Sequence, residues 1–264
     1  MSRMSYAERA PLRTHPVAKR LLLTMERKKS NLVLSADVTS KRELLALADA
    51  AGPDISVLKT HIDIVEDFDT ALPRDLRALA DKHDFLLFED RKFADIGSTV
   101  VKQYGGGPFR IADWADLVNA HIVPGPGVIE GLRRVGLPKG RALLLLASMS
   151  SSGNLATGDY TEKACTFAKE YSDFVIGFIC TGKVSDRPEH IHMTPGVHAH
   201  LPSDALHQSY LSPHEVIVDR KSDLIIVGRG IYATEDPKRA ARFYREAGWM
   251  AYEKGRSALR PITT

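Results

Sequence analysis

Short apolar runs recur along the chain and are separated by longer segments whose apolar positions return every three or four residues. The runs cover 31–37, 56–61, 85–90, 114–121, 142–149, 174–180, 191–197 and 223–228. They are nearly continuous in apolar character, which predicts parallel strands covered on both faces. Helical stripes fill most of the intervals. Leu44, Leu45, Leu47 and Ala48 follow Ser40-Lys-Arg-Glu43, which reads as a capping box, and Gly52-Pro53 stops that helix. Further helices are predicted over 74–83, from 98 to 104, over 128–135 after the Gly-Pro-Gly turn at 125–127, over 161–171, and over 237–253. Eight strand–helix units in 264 residues predict an α/β fold, a single (β/α)8 TIM barrel. An open doubly wound sheet competes, but no GxGxxG follows the first run. No Pro- or Ser-rich linker interrupts the chain, so residues 1–264 read as one domain, with helices in 1–30 closing the barrel's lower end.

Bulk chemistry narrows the function. The chain is 44% hydrophobic and 26% charged, with a formal net charge of +3, too small to suggest a nucleic-acid partner. The nearest basic block, Arg27-Lys28-Lys29, reads as the solvated end of a helix. The longest aliphatic stretch, 142–147, is too short to span a bilayer, and no signal-like segment opens the chain. Cys165 and Cys180 form no CxxC and read as reduced thiols in a cytoplasmic protein.

The candidate chemistry gathers where the runs end. In Glu89-Asp90-Arg91-Lys92-Phe93-Ala94-Asp95 an apolar strand breaks into alternating charge. Such charges are costly to desolvate unless they pair. If the backbone stays extended past Asp90, Asp90 and Lys92 share one side and Arg91 faces away; Asp95 is free to reach a neighbouring molecule. Other run ends carry Ser35 and Asp37, Lys59 and His61, Asn119 and His121, Ser148 and Ser150, Thr194, and Arg229. In a barrel these meet at the C-terminal rim, where active sites form. Gly228-Arg229-Gly230 opens the eighth loop, a place where barrels hold phosphate. Six histidines fall within 190–214, but no HxxxH or HExxH occurs among them, so no metal site is predicted.

These motifs together resemble the orotidine 5′-phosphate decarboxylase family of fungal and animal type. The blocks are Leu34-Ser-Ala-Asp37, Leu58-Lys-Thr-His61, Phe88-Glu-Asp-Arg-Lys-Phe-Ala-Asp-Ile-Gly97, Trp114-Ala-Asp116, Leu155-Ala-Thr-Gly-Asp-Tyr160, Met193-Thr-Pro-Gly-Val197 and Ile225-Ile-Val-Gly-Arg-Gly230, in family order. The resemblance implies a homodimer with shared active sites that converts orotidine 5′-phosphate to UMP without metal or organic cofactor. Carried over by motif, Lys59, Asp90 and Lys92 come from one subunit and Asp95 from the other. Thr99 also crosses over, beside Ile96. Asp37 and Lys59 hold ribose hydroxyls, with Thr60 and His61 adjacent. Ser35 and Ser150 address the pyrimidine, with Pro195 near them. Gln208, Tyr210, Gly228 and Arg229 hold the phosphate, under a lid formed by 180–190. Lys92 is the implied proton donor to C6, oriented by Asp90 and Asp95.

The chain departs from the family pattern in places. It has His207-Gln208-Ser209-Tyr210 where Gly-Gln-Gln-Tyr is usual, Ser148 where Glu is usual, and none of the usual glycines over 198–205. Two alternatives stay open at this level. One is a Mg2+-dependent sugar-phosphate decarboxylase of the same barrel type, which shares an Asp-x-Lys-x-x-Asp element. The other is a nucleotide-binding homologue with impaired catalysis.

Overall fold

Eight parallel strands close on themselves in chain order, each hydrogen-bonded to the next and β8 to β1. The computed structural model describes residues 4–12, 15–198 and 211–257. The strands are β1 Leu32–Ser35, β2 Val57–Thr60, β3 Leu86–Phe93, β4 Leu117–Ala120, β5 Ala142–Leu146, β6 Val175–Ile179, β7 Ile191–Thr194 and β8 Leu224–Val227. The helices are α1 Tyr6–Arg9, α2 Pro16–Lys28, α3 Lys41–Ala51, α4 Leu72–His83, α5 Gly97–Gly105, α6 Ile111–Trp114, α7 Gly127–Gly136, α8 Asp159–Glu170, α9 Arg229–Tyr232 and α10 Pro237–Ser257. Leu, Ile and Val dominate the strands, and almost every strand position is buried. That double-sided burial is what a parallel barrel wrapped in helices requires.

The N-terminal helices close the end of the barrel opposite the rim. Arg9 is the anchor. Its guanidinium meets both carboxylate oxygens of Asp223 and donates to the carbonyls of Pro188 (3.0 Å) and His190 (2.9 Å), beneath β7 and β8. Tyr6 stacks on Tyr252 with ring centroids 4.1 Å apart and donates its hydroxyl to the Asp223 carbonyl. Under β3 and β4, Asp116 collects Arg20, Arg77 and Arg141 while accepting the Leu87 amide at 2.9 Å.

Several boundaries differ from the sequence pattern, for local reasons. The 114–121 run does not start as a strand: Ile111–Trp114 is a helical turn, the Trp114 indole donating to the Phe109 carbonyl at 2.9 Å. Ser40 caps α3 by accepting the Glu43 amide. Gly52 does not stop the backbone outright but leads into a 3-10 turn, Gly52–Asp54. No helix separates β6 from β7, which residues 180–190 connect directly. Lys28 is not solvated. Its ammonium donates to the carbonyls of Gly52 (2.8 Å) and His83 (2.6 Å) at the C-terminal ends of α3 and α4, and only Arg27 and Lys29 stay exposed.

Candidate active site

The rim opens into a pocket of about 270 Å3. Ser35 and Asp37 reach it from β1, Lys59 from β2, Asp90 and Lys92 from β3. Ser148 to Ser150 follow β5, Pro195 follows β7, and Gly228 and Arg229 follow β8. Ser35 donates to Asp37 at 2.9 Å, so two residues of one strand end form one acceptor-rich corner.

Asp90 is the hub. Its Oδ2 accepts from Lys59 Nζ at 2.7 Å, and its Oδ1 accepts from Lys92 Nζ at 2.7 Å and Asn119 Nδ2 at 2.6 Å. His61 Nε2 lies 3.3 Å from Oδ2 and 3.0 Å from Lys59 Nζ. Burial alone would push the Asp90 carboxyl up; the Lys59 charge, the His61 hydrogen bond and the Lys92 charge hold it well below the usual carboxylate range. One fixed negative charge therefore organises two ammoniums, and the Lys92 side chain is 35% exposed toward the pocket.

The convergence of Asp90 and Lys92 does not come from simple strand alternation. From Glu89 to Phe93 β3 takes four steps while β4 takes two, from Val118 to Ala120. The surplus forms a bulge in which Lys92 adopts φ 50°, a left-handed conformation that costs a lysine free energy. Asn119 fills the gap: its Oδ1 accepts the Lys92 backbone N–H at 2.8 Å, in place of the lost ladder bond, while its amide holds Asp90. Asn119 is thus a scaffold of the site, beyond the rim position that the run endings gave it.

Other anticipated residues lie elsewhere. Thr60 is buried, does not line the pocket, and gives its hydroxyl to Glu89 at 2.7 Å. The signal was in the period of two: with Lys59 facing inward, Thr60 must face outward. His61 stands behind Lys59 rather than on the pocket wall. Asp95, Ile96 and Thr99 do not join the Asp90 cluster within this chain. Asp95 accepts from the Ile96 amide at 2.8 Å and lies 3.4 Å from Gln103 Nε2, and Ile96 and Thr99 are exposed. Thr194 spends its hydroxyl on Ser222. Gln208 and Tyr210, with His207 and Ser209, lie outside the described residues. Ser148 accepts the Thr181 amide at 2.9 Å and so ties the exit of β5 to that of β6. His121 and Tyr160 meet at 3.3 Å, and burial, then Lys92, lowers the His121 imidazole. His190 and His192 pack against Phe178, with ring centroids 5.1 and 5.6 Å away.

Comparison with known proteins agrees with this geometry. Residues 30–244 match the model of the orotidine 5′-phosphate decarboxylase / HUMPS family. The chain belongs to that family. It is 55% identical over 251 residues to orotidine 5′-phosphate decarboxylase of Phycomyces blakesleeanus, covering 94% of each chain. It is 52% identical to the Schizosaccharomyces pombe protein of the same name, covering 95% of this chain and 96% of the other. It is 58% identical over 250 residues to uridine 5′-monophosphate synthase of Bos taurus, where it spans 52% of that protein's length and 94% of its own. Among solved structures it resembles orotidine 5′-monophosphate decarboxylase of Methanocaldococcus jannaschii complexed with the inhibitor BMP. The TM-score there is 0.65 at 20% identity, covering 83% of this chain and 98% of that one. That likeness supports the barrel fold.

Proposed function

We propose that this protein decarboxylates orotidine 5′-phosphate to UMP and CO2, the last step of de novo pyrimidine nucleotide synthesis. One observation carries the reading: a Lys92 ammonium, 2.7 Å from a buried Asp90 that Lys59 also engages, presented to the rim pocket. Breaking the bond from C6 to the carboxylate leaves an electron pair on C6 that no adjacent carbonyl accepts well. A preorganised ammonium stabilises that charge without reorganising. It then gives C6 a proton and regains one from solvent, so Lys92 acts as general acid. Asp90 sits where the substrate carboxylate would crowd it. Ser35, Asp37 and Lys59 face the ribose and base, and Arg229 with Gly228 faces the phosphate. Phosphate binding far from C6 then contributes to holding C6 against Lys92. This chemistry asks for no metal.

The working form in this reading is a homodimer whose second copy lends Asp95 and Thr99 to each site. Two features support it. Asp95, on the loop after β3, and Thr99, in the first turn of α5, stand away from their own cluster, and Thr99 is exposed. Large apolar side chains also stay exposed on the loops after β2 to β5: Ile64 (38%), Ile96 (53%), Val123 (78%) and Leu155 (91%). We place the reaction in the cytoplasm, where the two free cysteines stay reduced. Among the described residues no helix is long and apolar enough to cross a membrane.

The test is spectrophotometric. Loss of orotidine 5′-phosphate absorbance, unchanged by EDTA, is the expected result; EDTA-sensitive turnover points to the Mg2+-dependent alternative. Lys92→Ala retains UMP binding and loses turnover. Mixing inactive Lys92→Ala and Asp95→Asn proteins restores activity only if one site draws Lys92 and Asp95 from different copies.

A further inference from the structure

β3 carries a second carboxyl that the mechanism above does not use. Glu89 is fully buried, and its ladder partners are Thr60 of β2 and Val118 of β4. As the neighbour of Asp90 it points out of the barrel, toward the helical layer. Its Oε2 lies 2.7 Å from the Thr60 hydroxyl, and its two oxygens share the Ile62 amide at 3.0 and 3.2 Å. Neither partner carries charge. The two residues it grips, Thr60 and Ile62, are the two that flank His61.

His61 has φ −118° and ψ 86°, a conformation outside both helix and strand, and its side chain caps nothing on the turn that follows. Its imidazole instead lies 3.0 Å from Lys59 Nζ, 3.3 Å from Asp90 Oδ2 and 3.8 Å from Asp37 Oδ1. Glu89 supplies the grip that this turn lacks, from the neighbouring strand. We infer that Glu89 is a positioning residue: by clamping Thr60 and Ile62 from outside the barrel wall, it sets His61 against the Lys59–Asp90 pair inside. The inference rests on the decarboxylase reading for its effect on turnover, and on geometry alone for its effect on His61.

Glu89 does this work as the neutral acid. Burial pushes its carboxyl up to about 8, against the hydrogen bonds of Thr60 and Ile62 and with help from Asp63 and Asp90. Asp63, from the turn after β2, and Asp90, on the opposite face of its own strand, are the charges that act on it. β4 offers Val118, and α4, packed over β3, buries Leu72, Leu76 and Ala80. Ionisation would place a third negative charge in this wall beside Asp63 and Asp90, a cost that the Thr60 and Ile62 hydrogen bonds only partly offset.

The test compares Glu89→Gln with Glu89→Ala. A glutamine keeps the shape, accepts the Ile62 amide and donates to Thr60; an alanine releases both. We expect Glu89→Ala to lower kcat/KM at least ~10-fold at a temperature where melting curves show it folded. The same variant should shift the His61 ring signals in NMR spectra, assigned with His61→Gln, and leave those of His192 unmoved. Glu89→Gln should restore both to near wild type. Unmoved His61 signals in Glu89→Ala, or a glutamine variant as impaired as the alanine one, overturn the inference. If the wild type itself fails to decarboxylate, the decarboxylase reading falls, and the His61 spectra still decide the clamp.

Discussion

Replacing Asp90 with asparagine tests the site's electrostatics most directly. The carboxylate offers two acceptor oxygens to four groups: Lys92 and Asn119 on Oδ1, Lys59 and His61 on Oδ2. An amide offers one. Whichever way it turns, its NH2 faces an ammonium that it cannot satisfy. Lys59 bears the greater cost, because its side chain is 6% exposed, whereas water screens the 35%-exposed Lys92. Removing one partner of a buried ion pair costs about 3–5 kcal/mol, and we expect about 4 kcal/mol here because one lysine is partly solvated. A domain of ordinary stability, about 5–15 kcal/mol, survives that loss. The sign with pH follows from the depressed carboxyl. Its contribution is present above the ordinary value of 3.8 and fades as pH falls through the lower folded value. Urea unfolding at pH 7 and again near pH 3 reads both quantities, and the gap between wild type and Asp90→Asn should shrink in acid. A gap below about 1 kcal/mol at pH 7, or one equally wide in acid, refutes the hub. Turnover in the same variant should fall by about 100-fold or more, since Lys92 loses its fixed partner.

Three other outcomes follow from the fold. A Cβ on Gly177 would lie 2.0 Å from the Ile191 carbonyl oxygen, so Gly177→Ala must part β6 from β7 and should cost about 3 kcal/mol or more in chemical denaturation. Arg9→Ala removes the Arg9 charge from the buried Asp223 and frees α1, a loss of about 3–5 kcal/mol with early proteolysis near the N-terminus. Burial pulls Lys28 down to about 8, against Asp84 and Asp54. The unfolded chain therefore holds a proton that the folded one has lost between there and 10.5, and stability should rise with pH across that window. Thermal melts should show this rise in the wild type and not in Lys28→Met.

The barrel was legible because most strands open on a short apolar run, and because most intervals carry a helical stripe. Strand ends were less so. Trp114 has strand-like character, but its indole finds the Phe109 carbonyl, a partner that no local pattern reveals. Lys28 looked solvated because its carbonyl partners, on Gly52 and His83, lie far off in sequence. At the site, the charged cluster could be read from Lys59, Asp90 and Lys92, and the structure does bring those three together. The facing of Thr60 and Glu89 could also be read, since each sits one step from an inward residue. The bulge could not. It depends on Asn119 from the next strand supplying a hydrogen bond that a regular ladder would have supplied itself.

The bulge has a mechanical consequence. In a regular strand a side chain's height changes only in steps of about 3.3 Å, and each step reverses its facing. Two surplus residues free the Lys92 amine from that ratchet, so its elevation over the barrel floor is set by one asparagine's length. Shortening that prop to alanine or serine would let the backbone relax toward the ordinary staircase and carry the amine off its mark. The barrel would remain whole around an amine that had lost its aim.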